Sequence, residues 1–493
     1  RTPISITLLV KNPEKLNTKA TIHYHDIGDY LNREEKLSIV KKFASINNPD
    51  LPLKAITSNE HGDWISQRND VFGTFISIGD KKGDEVNKSF FVPFYGRGIA
   101  TTRDAWCYNS NRSILKKNIL SNIDFYNQQR IAFHIAENTN GLSQKDIIKK
   151  VKVFVSYDQQ NFSWSDNPIM DLARNKSFQF DTDSIVISQY RPFSKQLLYF
   201  SRDLNERVYQ MPKIFPNKTD NFVICVPGIG NTKNFSALIS NSIPDLGMNG
   251  ATQCFPRYYY EERHKQSPTL FDEVGDSEYI RRDGVSDFIL ERAKAMYGKT
   301  VTKEDIFYYV YGFLHSPEYR EKFTNDLKKM LPRLPLVDDV RDFWKFSKAG
   351  RELAELHINY ENVPPYNGVE VTGAEVLSFI DKEPADTNLY LVTKMRFPRK
   401  NEKETIIYNS KIIIEGIPDK AYEYVVNGKS AIEWIMERYK KTTHKESGIT
   451  NNPNDWAEEV GNPRYILDLL LSIINVSVQT VDSVAGLPKV KFE

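Results

Sequence analysis

The chain has 493 residues, 40% hydrophobic, 26% charged and 12% aromatic, which excludes a disordered tail and predicts about two to four domains with sizeable cores. Lys plus Arg number 66 and Asp plus Glu 64, a net charge of +2, and this near balance excludes a histone-like polybasic binder. The sum hides a split: residues 1–250 hold 32 basic and 25 acidic side chains, residues 251–493 hold 34 and 39, so the front half is where a polyanion is expected to sit.

Cys107, Cys225 and Cys254 are the only cysteines. Three in a chain this long make neither a disulfide framework nor a paired CxxC metal site, and predict a reducing cytoplasm. The longest apolar run, 466–478, is interrupted by Asp468 and predicts a buried helix rather than a bilayer span. No signal-peptide pattern opens the sequence. Starting on Arg1 without Met, inside what reads as a strand, the chain is expected to be the trailing piece of a longer polypeptide.

In chain order, the apolar run 4–10 and the extended segment 20–24 flank a polar turn with Asn12-Pro13 and predict a terminal β-hairpin. From Asn32, NREEKLSIVKKFASI has helical spacing, with Leu37, Val40 and Phe43 on one face and Glu34 and Glu35 in the first turn. Residues 51–255 alternate β-rich runs with Asn-, Gly- and Pro-rich loops; strands are predicted at 71–78, 151–157, 184–188, 197–200 and 221–226. The texture then changes near Tyr258. From Asp305 an amphipathic helical stretch is broken at Pro317, and 340–359 is a further helix. Residues 369–418 return to β character, including 387–392 and 412–414, and helices close the chain at 428–439 and 463–478. The fold class expected is α+β, a β-rich part followed by a mainly helical part with a small β insertion.

Several strings carry chemistry elsewhere. Phe94-Tyr95-Gly96-Arg97-Gly98 matches the F-x-G-x-G of S-adenosylmethionine-dependent methyltransferases, but no helix cap pattern follows it and it reads as a glycine loop. Asn362-Val363-Pro364-Pro365-Tyr366 approaches the [DNS]-P-P-[YFW] motif of amino-methyltransferases, yet Val363 has no acceptor for a target amine, and a rigid linker is expected. Gly228-Ile229-Gly230-Asn231-Thr232-Lys233 follows a predicted strand and lacks Walker A spacing; a phosphate-backbone contact and a plain β-turn both fit it. The HYHDIGD cluster holds His23 and His25 without further ligands at usable spacing, so no metal site is assigned.

The most informative feature is basic and aromatic together. Residues 97–130 carry Arg97, Arg103, Arg112, Lys116, Lys117 and Arg130 among Trp106, Tyr108, Phe125 and Tyr126, and YRPFSKQLLYFSRDLNERVYQMPK adds Arg191, Lys195, Arg202, Arg207 and Lys213. Duplex recognition needs cations for phosphates and planar Arg, Asn or Gln side chains for base edges, and both sets are present. A solvated face with half-buried aromatics is the competing account.

At these residues the sequence resembles the C-terminal part of the Type ISP restriction-modification enzymes, single-chain, Type I-like proteins. The strings that carry the likeness are IHYHDIGDYL with REEKL (22–37), EHGDWISQR (60–68), TTRDAWCYN (101–109), IDFYN (123–127), YRPFSKQLLYF (190–200), NERVYQMP (205–212), QCFPRYYYE (253–261), YGFLHSPEYREKF (311–323), FWKFSKAGRELAELHINYE (343–361) and SAIEWIMERYK (430–440). The resemblance implies that nuclease, ATPase, coupler and N6-adenine methyltransferase domains precede a target recognition domain. Residues 1–30 would be a terminal hairpin of the methyltransferase domain, 31–260 the β-rich basic part of the recognition domain and 261–493 its mainly helical part. S-adenosylmethionine, ATP and Mg would belong to the parent protein, with no catalytic residue, cofactor or metal site in this fragment.

The reading is therefore sequence-specific recognition of double-stranded DNA in the cytoplasm, with no membrane partner, alongside upstream methyltransferase and coupler domains of the same chain. From residue type and neighbourhood, base contacts are expected from Arg97, Arg103, Arg191, Arg207 and Arg257, and phosphate contacts from Lys116, Lys117, Lys195 and Lys233. Two alternatives stay open: a fragment that itself keeps S-adenosylmethionine-dependent methyltransferase activity, and a helical coupler or docking module.

Overall fold

The computed structural model describes residues 5–11, 13, 14, 20–28, 31–82, 87–263, 278–373 and 387–492, so Ile4 and the stretch 374–386 of the expected β segment lie outside the described residues. The chain divides into two compact units, Arg1–Asn69 and Asp70–Glu493.

In the first unit, Ile22–Tyr24 pairs antiparallel with Lys54–Ile56, Ile22 opposite Ile56. The helix Arg33–Phe43 starts where the sequence predicts. Asn32 accepts from the Glu35 N–H (2.9 Å) while the Glu35 carboxylate accepts from the Asn32 N–H (2.6 Å), a reciprocal cap that satisfies two helix-end donors. Among the described residues the expected terminal hairpin is not seen: residues 5–10 carry no strand, Ile6, Leu8, Leu9 and Val10 are exposed, and Ile22–Tyr24 takes its partner from Lys54–Ile56 instead. His25 packs edge-on against Phe43, and no cluster of metal-ligating side chains occurs among the described residues.

The second unit has two apolar cores with a four-stranded sheet between them. Its strands lie in the order Gly96–Arg97, Gln253–Pro256, Val223–Val226, Leu238–Ser240. Because side chains alternate across a strand, Val223, Cys225 and Cys254 enter one core and Ile224, Val226 and Phe255 the other. Cys225 and Cys254 sit opposite one another as buried free thiols with Sγ atoms 3.9 Å apart.

The first core takes the sheet of Ile185–Arg191, Ser194–Tyr199, Tyr108–Asn109 and Ile243–Pro244, the helix Arg112–Ala136, and the rear of the chain from Tyr360 to Val478. The second takes Phe72, Phe90, Phe91 and the helices Asp287–Tyr297, Lys303–Phe313 and Val340–Ile358. Front and rear of the sequence are thus interleaved in both cores, and no division falls at residue 260. The long apolar helix Tyr465–Ala485 is a core element, buried over most of its length.

The strands expected at 184–188, 197–200 and 221–226 are present, as are the late helices. The helical stretch breaks at Pro317 as predicted, because Ser316 caps a new helix, Pro317–Lys322, with proline at its first turn. Three expectations fail. Residues 151–157 end a helix, Gln144–Phe154, whose Ser143 cap accepts from Asp146 N–H. Residues 71–78 split into the helix Asp70–Thr74 and the strand Ile76–Ser77. Residues 387–392 form a 3-10 turn at Thr387–Tyr390, because the Asn409 amide donates to the Leu389 and Leu391 carbonyls and occupies acceptors a strand ladder would need.

The helices Lys303–Phe313 and Val340–Ile358 cross backbone to backbone: a Cβ on Gly350 would collide with the Tyr308 carbonyl and one on Gly312 with that of Phe346. Helix propensity alone favours Ala over Gly by about 1 kcal/mol. Gly350→Ala is instead expected to destabilise by roughly 1–3 kcal/mol through overpacking, measured as a lower urea midpoint; an unchanged or higher midpoint would show that the helices can separate without cost.

Candidate nucleic-acid interface

The string Phe94-Tyr95-Gly96-Arg97-Gly98 is where the backbone passes from one sheet to the other. Gly98 N–H donates to Thr252 O (3.0 Å), Ile99 N–H to Pro244 O (2.8 Å) and Leu246 N–H to Ile99 O (2.8 Å), while Ala100 and Arg207 exchange two bonds of 2.9 Å. A Cβ at Gly98 would lie 2.5 Å from Asp245 O, so the crossing requires glycine there. These glycines serve a close backbone approach, in keeping with the glycine-loop reading.

Arg97 sits on the edge strand of the central sheet, partly exposed, with its guanidinium carbon 5.8 Å from the Tyr209 ring centre. Among the described residues it has no hydrogen-bond or ion-pair partner, and its Nε is buried without an acceptor. Tyr209 itself holds φ of 46°, a left-handed conformation rare for a bulky residue. Gln210 follows, its Cβ packed over Gly96. Lys213 lies over the Phe94 ring (5.1 Å), and Phe94 stacks on Tyr259 at 4.2 Å.

The other expected base readers are differently placed. Arg103 is buried at 1% exposure and donates to the carbonyls of Ser163, Thr101 and Leu204 and to Ser165 Oγ; it cross-links loops and cannot reach a groove. Arg191 pairs with Asp245, lies 3.7 Å from Asp104 and covers the Tyr190 ring. Arg257 pairs with Glu304 at 2.9 Å. Arg207, half exposed, bonds Asn167 at 3.0 Å and faces Glu206 at 3.5 Å. Sequence reasoning did not single out Gln253 or Gln210, which the structure brings beside Arg97: Gln253 stands opposite it on the strand Gln253–Pro256, and Gln210 packs over Gly96.

Of the lysines, Lys195 is paired with Glu361 and lies over Tyr360, which neutralises it as a phosphate contact. Lys116 and Lys117 are exposed on the helix Arg112–Ala136, lining a shallow basin of about 620 Å³ with Ser113, Ser121 and Gln128. Lys233 is exposed, its methylenes resting on Gly428. The glycine loop before it is no phosphate cradle: the Gly228 and Gly230 N–H groups already donate to Gly250 O and Lys328 O, both at 2.8 Å. An acid from the rear thus neutralises part of the front's excess, Glu361 on Lys195, while Arg257, itself in the rear half, is paired with Glu304, so the net charge by halves does not mark the basic face.

The family model for the Type ISP C-terminal specificity domain matches residues 90–469. The chain belongs to that family. It is similar to a nuclease-deletion mutant of the Type ISP restriction-modification enzyme LlaGI in complex with a DNA substrate mimic, at 36% identity and a TM-score of 0.80, over 96% of this chain and 39% of that one. The ATP-dependent Type ISP enzyme LlaBIII, bound to DNA, gives 33% identity and 0.80 over 96% and 28% of the two chains. A DrdV–DNA complex gives 29% and 0.76 over 95% and 43%. The chain thus spans less than half the length of these relatives. A search of curated proteins returns no match.

Beside the interface, burial raises the Asp245 carboxyl to about 6, with Arg191 pulling it back down. An unfolded Asp titrates near 3.9, so the folded state holds this proton more tightly. Its contribution to stability is present below about pH 4 and lost as pH rises through 6, by up to about 3 kcal/mol for roughly two pH units. Asp245→Asn, which does not titrate, is expected to show a flatter stability profile from pH 4 to 6.5 in urea unfolding; parallel profiles would refute the assignment.

Proposed function

We propose that this chain is the target recognition part of a Type ISP restriction-modification enzyme. It binds a short asymmetric duplex sequence and holds one adenine where a methyltransferase domain of the same polypeptide flips and methylates it. When the site is unmethylated, the same recognition licenses ATP-dependent translocation and cleavage by further domains, in the cytoplasm. The observation that carries the reading is the uncommitted Arg97 on a sheet edge beside Gln253 and Gln210, in a chain whose family and DNA-bound relatives are those above. Arg is the residue suited to bidentate contact with guanine in the major groove.

S-adenosylmethionine, ATP and Mg are assigned to the other domains, so the chain alone is expected to bind no S-adenosylmethionine. Lys116, Lys117 and Lys233 are assigned to phosphates and Arg97 to the base-reading face.

Binding of the chain to a panel of duplexes across salt tests this. One sequence should bind far more tightly than the rest, and Lys116→Ala or Lys233→Ala should weaken every duplex alike while reducing the log–log salt slope by about 1. Sequence-indifferent binding, or none at any salt, would refute it.

A further inference from the structure

We propose that Arg97 and Gln253 form a two-residue reading unit for adjacent base pairs, Arg97 taking guanine and Gln253 the neighbouring adenine. This rests on the duplex-recognition reading above and goes beyond it by naming the bases and their order of contact.

The two residues stand opposite one another on neighbouring antiparallel strands. With Gly98 N–H bonded to Thr252 O, the alternation of the ladder makes Arg97 and Gln253 a non-hydrogen-bonded pair, the type whose Cα atoms lie only about 4.5 Å apart and whose side chains are closest. Both continue the face that carries Tyr95 and Phe255, whose rings stack at 4.7 Å in the core. The apolar column ends there, and the next pair along both strands is polar and partly exposed.

Neither head group is committed to the protein. Arg97 has no acceptor among the described residues. The Gln253 amide makes one long contact, Nε2 to Ala251 O at 3.4 Å, and its carboxamide oxygen accepts nothing there. A guanidinium matches O6 and N7 of guanine and a carboxamide matches N6 and N7 of adenine, each through two hydrogen bonds. Base pairs rise by about 3.4 Å along the duplex, a little less than the spacing of the two Cα atoms, so the pair fits consecutive steps. The Tyr209 ring centre lies 5.8 Å from the Arg97 guanidinium carbon, within cation–π reach.

The test is selection of duplexes from a randomised pool by the full chain and its variants. Arg97→Ala should erase a guanine preference at one position, a loss of roughly ten- to hundredfold in discrimination. Gln253→Ala should erase an adenine preference at the position next to it. Gln253→Glu should switch that position toward cytosine, whose amino group a carboxylate accepts, and leave the guanine position intact. Retained non-specific affinity at low salt reports that each variant is folded. Uniform weakening of all duplexes, effects at non-adjacent positions, or unaltered preferences would overturn the assignment while leaving the recognition reading standing. A wild-type chain with no sequence preference would overturn both.

Discussion

The backbone from Gly96 to Ala100 is bonded on successive residues to strands of different sheets, first to Gln253–Pro256, then to Ile243–Pro244, then to the segment at Arg207. Buried N–H and C=O groups must find partners, and here three separate parts of the chain supply them within five residues. Such a crossing leaves no space for a side chain at Gly98. It also fixes Arg97 relative to both apolar cores, because the strand it pairs with faces one core through Phe255 and the other through Cys254. A reader mounted on such a segment inherits the rigidity of both cores, the condition a site needs to discriminate partners that differ by a few atoms.

Charge works in the same unit by subtraction. A guanidinium or ammonium can contact DNA only if the protein has not already answered it, and the fold answers three of the nine candidates, Arg191, Lys195 and Arg257, with acids brought from far along the chain. Asp245 lies 54 residues from Arg191 and Glu361 lies 166 residues from Lys195. Buried or half-buried pairs of this kind keep the strands in register and are costly to break, so they belong to the scaffold. What remains uncommitted is sparse: Arg97 beside two glutamines, and lysines on separate elements.

Much of the fold was legible where local pattern and tertiary demand agree. The capped helix after Asn32, the strands around 185–199 and the break at Pro317 are cases of cap chemistry, β-branched runs and proline geometry acting locally. The helix Arg112–Ala136 escaped because its buried stripe, Leu115, Ile119, Ile123, Tyr126 and Phe133, is blurred by the exposed Ile114, Leu120, Ile131 and Ile135 on other faces, which flattens the 3.6-residue period. Residues 151–157 misled for the reverse reason: alternating Val, Phe and Val at the end of a helix imitate a strand. At the candidate site, residue type sufficed to nominate Arg97, but separating it from Arg103, Arg191 and Arg257 required partners that only the folded chain brings near.

Three of the nine described non-glycine residues with positive φ follow the same geometry. Thr102, Tyr209 and Ala251 have φ of 56°, 46° and 54°, and each lies two residues from a position in the crossing or its pairing partners: Ala100, Arg207 and Gln253. Left-handed conformations at non-glycine residues cost of order 1–3 kcal/mol each and persist only when surroundings over-determine them. Here the surroundings are the hydrogen bonds of the crossing and the two cores behind it. The strain turns the chain sharply beside each paired residue, and at Tyr209 the turn delivers the ring beneath Arg97. A relaxed turn there would keep the sheet but move the ring, so the energy stored in the backbone is tied to the placement of the Tyr209 ring beside one guanidinium.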